Sequence, residues 1–180
     1  LKPFGYELFA NTPTTYAPAA DIPVPPEYTI GPGDAVKVQL IGNVKANYKL
    51  VVGRTGEINF PELGPISVAG MPFDELQSLI EKTVAEQMIG TRAVVSLGEL
   101  RSLRVLITGE AERPGSYTVS GLSTMTNALL VGGGVKPIGS LRKVQLKRGG
   151  RVVATLDLYD LLLKGDSSND ARILSGDVIF

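Results

Sequence analysis

The feature that most constrains this chain is a turn that opens directly onto an alternating run. Tyr28-Thr29-Ile30-Gly31-Pro32-Gly33-Asp34 is followed by Ala35-Val36-Lys37-Val38-Gln39-Leu40-Ile41. Pro32 fixes φ near the value needed at the second position of a turn, and Gly33 supplies the positive φ needed at the third position of a type II turn. Asp34 is placed to accept hydrogen bonds from nearby free amides. Beyond it, Val36, Val38 and Leu40 face one way while Lys37 and Gln39 face the other, the period of a half-buried strand. Ordered structure is therefore expected to begin here.

Upstream the character differs. Residues 1–26 contain Pro3, Pro13, Pro18, Pro23, Pro25 and Pro26, half of the 12 prolines, with no sustained period. Proline removes amide donors and blocks helix, which predicts an extended arm over 1–26. Two roles are open for it: a linker from an anchor, or an arm that packs on a neighbouring subunit through Phe4, Tyr6, Phe9 and Tyr16.

Downstream, Gly42-Asn43 reads as a two-residue hairpin turn into a return strand over 44–52. Glu57 to Phe60 and Ile66 to Val68 read as short strands. The period then changes: Phe73, Leu76, Ile80, Val84 and Met88 share one helical stripe. Pro72 suits the first helical position, Asp74 and Glu75 suit the positive end of the helix dipole, and Gly90 suits its stop. Ala93 to Leu97 returns to strand. A first module, a small sheet covered by one amphipathic helix, is thus expected over 27–100.

A second module is expected over 101–180. Leu103 to Thr108 and Ser116 to Val119 are strands flanking a turn that ends in Pro114-Gly115. Ser123 can cap a short helix over 124–131, which Gly132-Gly133-Gly134 ends. Arg142 to Lys147 and Val152 to Leu158 form a hairpin across Gly149-Gly150. Tyr159 to Leu163 is about one helical turn, and Ser175-Gly176-Asp177 leads into a last strand. The order predicts an α+β fold.

Composition narrows the chemistry. With 18 Lys plus Arg against 18 Asp plus Glu, formal net charge is zero, so no long-range grip on nucleic acid is indicated. The absence of Cys and His removes thiolate chemistry, zinc sites built on them and any Ser-His-Asp triad. No metal or cofactor is expected. Two modules in 180 residues have thin cores and should lean on one another or on partner subunits. The chain opens at Leu1 without a signal-peptide pattern, as a mature or trimmed fragment would.

Candidate sites each have a plain alternative. Gly132-Gly133-Gly134 follows a helix, whereas a phosphate needs the start of one, so a helix stop is the better reading. Turn chemistry accounts for Gly31, Pro32, Gly33 and Asp34, and for Gly176 and Asp177. Glu57, Glu62, Glu110 and Glu112 lie in or beside turns, and nothing groups two of them as a glycosidase requires. Lys136, Arg142, Lys143, Lys147, Arg148 and Arg151 run without an intervening acid, while Asp157, Asp160, Asp166, Asp170 and Asp177 follow. Either the two groups compensate in space, or the basic hairpin meets an acidic partner surface or an acidic glycan.

Two longer patterns resemble a known family. Tyr28-x-Ile30-Gly31-Pro32-Gly33-Asp34, with Phe60-Pro61-x-Leu63-Gly64-x-Ile66-x-Val68-Ala69-Gly70 before the helix, resembles the polysaccharide export domain. Val105-x-Ile107-x-Gly109-x-Ala111-x-x-Pro114-Gly115-x-Tyr117, the glycine triplet and Leu174-x-Gly176-Asp177-x-Ile179 resemble a soluble-ligand-binding β-grasp domain. The pair is similar to the periplasmic part of outer-membrane polysaccharide export proteins. Thr55-Gly56 replaces the more usual Asp-Gly, and the glycine triplet replaces Ala-Gly-Gly; both are conservative for turns. No further β-grasp domain, membrane-spanning helix or lipid-acceptor Cys is present in the sequence.

The resemblance implies a homo-oligomeric ring, capsular or exopolysaccharide as cargo, and an inner-membrane copolymerase as partner. It places the protein in the periplasm against the outer membrane. The different-class alternative is a glycan- or peptidoglycan-binding module without a transport role.

Overall fold

The computed structural model describes residues 4–10 and 23–180. They form two compact units, residues 23–101 on one side and residues 4–10 with 102–180 on the other. Sheets and helices mix in the chain, which is α+β.

In the first unit the elements are β1 (Ala35–Gly42), β2 (Ala46–Val51), β3 (Glu57–Phe60), β4 (Gly64–Ser67), α1 (Phe73–Gln87) and β5 (Thr91–Leu97). β1 is the centre of a three-stranded sheet, antiparallel to β2 and to β5; β3 and β4 make a separate hairpin. Val36, Val38 and Leu40 are buried and Lys37 and Gln39 exposed, as the alternation predicts. On α1 the stripe buries Leu76, Ile80 and Val84 completely, with Phe73 and Met88 half-buried at its ends. Pro72 is the N-cap rather than the first helical residue. The turn after β1 spans residues 43–45, longer than the two-residue turn expected. The cause is a rival set of partners: the Asn43 and Val44 amides donate to the Gly90 carbonyl (3.0 Å) and Thr91 Oγ1 (3.2 Å), not across a tight hairpin.

The second unit contains β6 (Ser102–Ile107), β7 (Gly115–Ser120), α2 (Met125–Val131), β8 (Val144–Arg148), β9 (Arg151–Leu156), α3 (Leu158–Lys164) and β10 (Val178–Ile179). Its sheet runs β7-β6-β10-β8-β9, with β10 parallel to β6 and antiparallel to β8. Within the unit that order is second, first, fifth, third, fourth, consistent with the β-grasp expectation. Met125, Ala128 and Leu129 of α2 join Val105, Ile107, Leu146 and Ile179 in one buried core. The cap of α2 is Thr124, not Ser123. Thr124 and Asn127 exchange side-chain-to-amide bonds, a reciprocal box that Ser123 cannot form from its turn bond to Ser120. The glycine triplet ends α2 as expected: the Gly133 and Gly134 amides donate back to Leu130 and Leu129.

Residues 4–10 are not extended. Tyr6–Phe9 is a single turn of 3-10 helix, and Tyr6, Leu8 and Phe9 pack against the second unit's core. The Tyr6 hydroxyl donates to the Gly139 carbonyl at 2.5 Å, and Tyr159 donates to that of Phe4 at 3.2 Å. Phe9 covers Gly134 so closely that a Cβ there would sit inside the ring. This segment therefore grips its own chain, through three of the four aromatic residues read as grips. Pro3, Pro13, Pro18 and Tyr16 lie outside the described residues.

Both strand-opening turns share one device. Asp34 is fully buried, and its carboxylate accepts from the Gly31 amide (2.9 Å), the Tyr28 hydroxyl (2.9 Å), the Arg101 amide (2.7 Å) and Arg101 Nη1 (2.8 Å). Asp177 is 1% exposed and accepts from the Leu174 amide (2.8 Å) and from Arg148 Nε and Nη2 (2.8 Å each). In each case a glycine of positive φ, Gly33 at 96° or Gly176 at 87°, precedes the acid and turns its carboxylate back onto the amide three residues earlier. Removing one partner of such a pair leaves a buried charge uncompensated.

Asp34→Ala is expected to destabilise the first unit by about 3–5 kcal/mol, and Asp34→Asn by less because it still accepts from the Gly31 amide. Urea unfolding followed by amide exchange in β1 measures both. For the docked segment, Phe9→Ala should abolish exchange protection at residues 4–10 and leave β6 protected. Burial, and then the neighbouring Tyr159, raise the Tyr6 phenol above its ordinary 10.0. Its bond to Gly139 is thus complete below that value and lost as pH rises through the raised one. Tyr6→Phe should remove this alkaline undocking step.

Candidate functional site

Six basic residues in the second unit were the sequence-derived contact candidates, and the fold gives them different environments. β8 and β9 are joined by Gly149 and Gly150, both of positive φ, in the two-residue hairpin expected. This turn sets Arg148 directly opposite Arg151. Arg148 turns away to Asp177, where the paired hydrogen bonds raise its already high pKa. Arg142 Nη1 lies 3.2 Å from Asp157, and its guanidinium sits 4.5 Å from the Tyr159 ring centroid. Lys147 places its ammonium 4.0 Å from the Phe180 ring centroid, a cation–π contact. Lys136 reaches Glu110 at 3.8 Å. Among the described residues Lys143 and Arg151 make no ion pair within 4.0 Å.

The acids downstream are used in the same local way. Asp157 caps α3 through the Tyr159 amide as well as holding Arg142. Asp160 pairs with Lys164 at 2.7 Å, and Asp170 accepts from the Thr126 amide at 2.9 Å. Asp166 accepts from the Ser168 amide, which lowers its pKa. Hence four of the six candidate cations have a carboxylate or a ring as partner within this unit, and one of these four, Arg148, holds the fold together through Asp177.

Among the described residues, the four glutamates weighed for hydrolysis are all exposed. Glu57 opens β3 and Glu62 lies in the turn after it in one unit, while Glu110 and Glu112 share the loop before β7 in the other. A recess of about 450 Å3 in the second unit is lined by Ile107, Val135, Ile138, Phe180, Glu110 and Lys143, among others. It is mainly apolar, with one acid and one base at its rim. Pro114 and Gly115 lie beyond it, where β7 begins.

Sequence reasoning did not anticipate Arg101, the guanidinium that completes the Asp34 site and also donates to the Thr29 carbonyl at 3.0 Å. It lies 67 residues from Asp34 and carries no local pattern. It also did not single out the outward face of the first unit's sheet, because its residues come from three separate strands.

Residues 22–98 match the family described as polysaccharide biosynthesis/export protein. The chain is 34% identical over 164 residues to the polysialic acid transport protein KpsD of Escherichia coli, covering 90% of this chain and 29% of that protein. It is 28% identical over 156 residues to the EPS I polysaccharide export outer membrane protein EpsA of Ralstonia nicotianae, covering 86% of this chain and 41% of that protein. The chain therefore spans well under half the length of these relatives, and both alignments are too long to be confined to residues 22–98.

Arg148→Ala and Arg151→Ala should separate a structural cation from a free one. The first is expected to cost about 1–3 kcal/mol by leaving Asp177 unpaired, the second less than about 0.5 kcal/mol. Thermal or urea unfolding of the two variants checks this.

Proposed function

Because the chain belongs to the polysaccharide export family, we propose that it forms part of a non-enzymatic, ring-forming exporter. The exporter conducts capsular or exopolysaccharide through the periplasm and across the outer membrane. The observation that carries this reading is the reach of the likeness: relatives named for polysaccharide transport and export align with 90% and 86% of the chain. Among the described residues no helix is long and apolar enough to cross a membrane.

The physical properties of the units support assembly. Among the described residues, the two larger sheets leave edge strands unpaired: β2 and β5 in the first unit, β7 and β9 in the second. β9 also exposes Val152 and Val153 by about half. An unpaired apolar edge favours addition of another strand or surface. The mechanism is geometric: copies line up around a conduit, and the lumen offers weak, replaceable contacts, since tight binding would arrest the cargo. Lys143 and Arg151, the two of the six candidates with neither an ion pair nor a ring contact among the described residues, are the proposed points of contact with a neighbouring subunit or an inner-membrane copolymerase. A second reading, a glycan-binding module without transport, draws on the recess beside Ile138 and Phe180.

Electron microscopy and light scattering of the full-length protein in detergent or lipid should show a ring of identical subunits; a strictly monomeric species under all such conditions would refute the assembly. Charge reversal at Lys143 and Arg151 should weaken copolymerase capture or assembly while leaving the fold intact. Saturable micromolar glycan binding by a monomer, with export unaffected by deletion of the gene, would favour the second reading.

A further inference from the structure

The outward face of the first unit's sheet has no role in the fold described so far. Alternation along β1, β2 and β5 buries one face against α1 and turns the other to solvent. The register then decides what that second face contains. Lys37 stands directly opposite Lys49 on one side and beside Ser96 on the other; Gln39 stands between Asn47 and Val94. Arg92 lies one pair further along, and Lys45 precedes β2. Around the central residues is an open depression of about 370 Å3, within the roughly 300–1,000 Å3 typical of small-molecule sites.

Three properties distinguish this face from an ordinary solvated one. Like charges directly opposite on paired strands are destabilising, so the Lys37–Lys49 pairing is maintained against its own repulsion. Compensation is partial: Glu99 bonds Lys49 at 2.7 Å, whereas among the described residues Lys37, Lys45 and Arg92 have no acid within 4.0 Å. Finally, the groups between the cations are amides and a hydroxyl. Gln39, Asn47 and Ser96 offer donors and acceptors together, the complement of sugar hydroxyls. The second unit presents a different case, since four of its six candidate cations already have an acid or a ring as partner there.

We propose that this face, with Lys37 and Lys49 at its centre and Gln39, Asn47 and Ser96 between the strands, is a contact site for a carboxylate-bearing polysaccharide. The inference rests on the export reading and adds the chemical class of the cargo and the surface that meets it. A shallow, open site built from long flexible ammonium groups binds weakly and releases quickly, as a moving chain requires. Its electrostatic part is screened by salt. Carboxylates entering the depression offset the Lys37–Lys49 repulsion, while the amides align the sugar rings along the strands.

The test is an amide-shift titration of the isotopically labelled 180-residue chain. Three probes of similar length are compared: an oligogalacturonate, a neutral malto-oligosaccharide and a single-stranded DNA oligonucleotide. The expected result is millimolar binding of the oligogalacturonate, with the largest shifts at residues 37, 39, 47, 49 and 96. Raising salt from about 20 to about 300 mM should weaken it about tenfold, and Lys37→Gln with Lys49→Gln should do so at least about fivefold. The double variant should keep its fold, since the exposed Lys49–Glu99 pair it loses is offset by the repulsion it removes. Equal binding of the neutral sugar, equal binding of DNA, or no shifts on this face would each overturn the inference. A second arm uses the full-length protein in its host. There Lys37→Glu with Lys49→Glu should cut surface polysaccharide while rings still assemble; unchanged export would overturn the inference. Loss of the whole gene without effect on surface polysaccharide would instead refute the export reading, whatever the titration shows.

Discussion

The structure depends on what it costs to bury a carboxylate. Asp34 and Asp177 are almost wholly withdrawn from solvent, where an ionised group is tolerated only if its oxygens are filled by donors. Both are filled in the same way, by the amide three residues back and by a guanidinium from elsewhere in the same unit. The turn therefore cannot slide, and the strand that follows begins at a fixed residue. For Asp34 that strand is β1, the centre of its sheet. For Asp177 it is β10, which lies between β6 and β8 and joins the two halves of the second sheet. Arg148 ties the β8–β9 hairpin to the same point.

From this fixed register comes the distribution of charge. The zero net charge of the sequence conceals two unlike surfaces. In the second unit, four of the six candidate cations are drawn onto neighbouring acids and rings. In the first, antiparallel pairing places Lys37 against Lys49 and leaves most of the positive charge on that face without local compensation. Total charge bears on solubility and long-range steering, while local placement decides contact with a polyion.

Much of the fold could be read from local pattern. The alternation of β1, the α1 stripe through Leu76, Ile80 and Val84, the Gly149-Gly150 turn and the stop after α2 all follow from residues a few positions apart. Where the reading slipped, another partner competed. Thr124 displaced Ser123 as a cap because Asn127 could reciprocate only with Thr124. The turn after Gly42 lengthened because Gly90 and Thr91 offered bonds. The proline-rich start suggested extension, yet residues 4–10 coil because Tyr6 and Phe9 find an apolar groove on the second unit.

By itself the sequence determined the class of the fold, the two turn-and-strand starts, the principal helix and the family, since each is encoded by short-range periodicity or by ordered motifs. Only the tertiary structure decided that Arg101 and Arg148 neutralise the buried acids, that residues 4–10 dock on the far end of their own chain, and that Lys37 and Lys49 meet on one exposed face. The physical reason is distance along the chain: those contacts join residues 12 to 155 positions apart, and no local rule reports which surfaces folding will bring together.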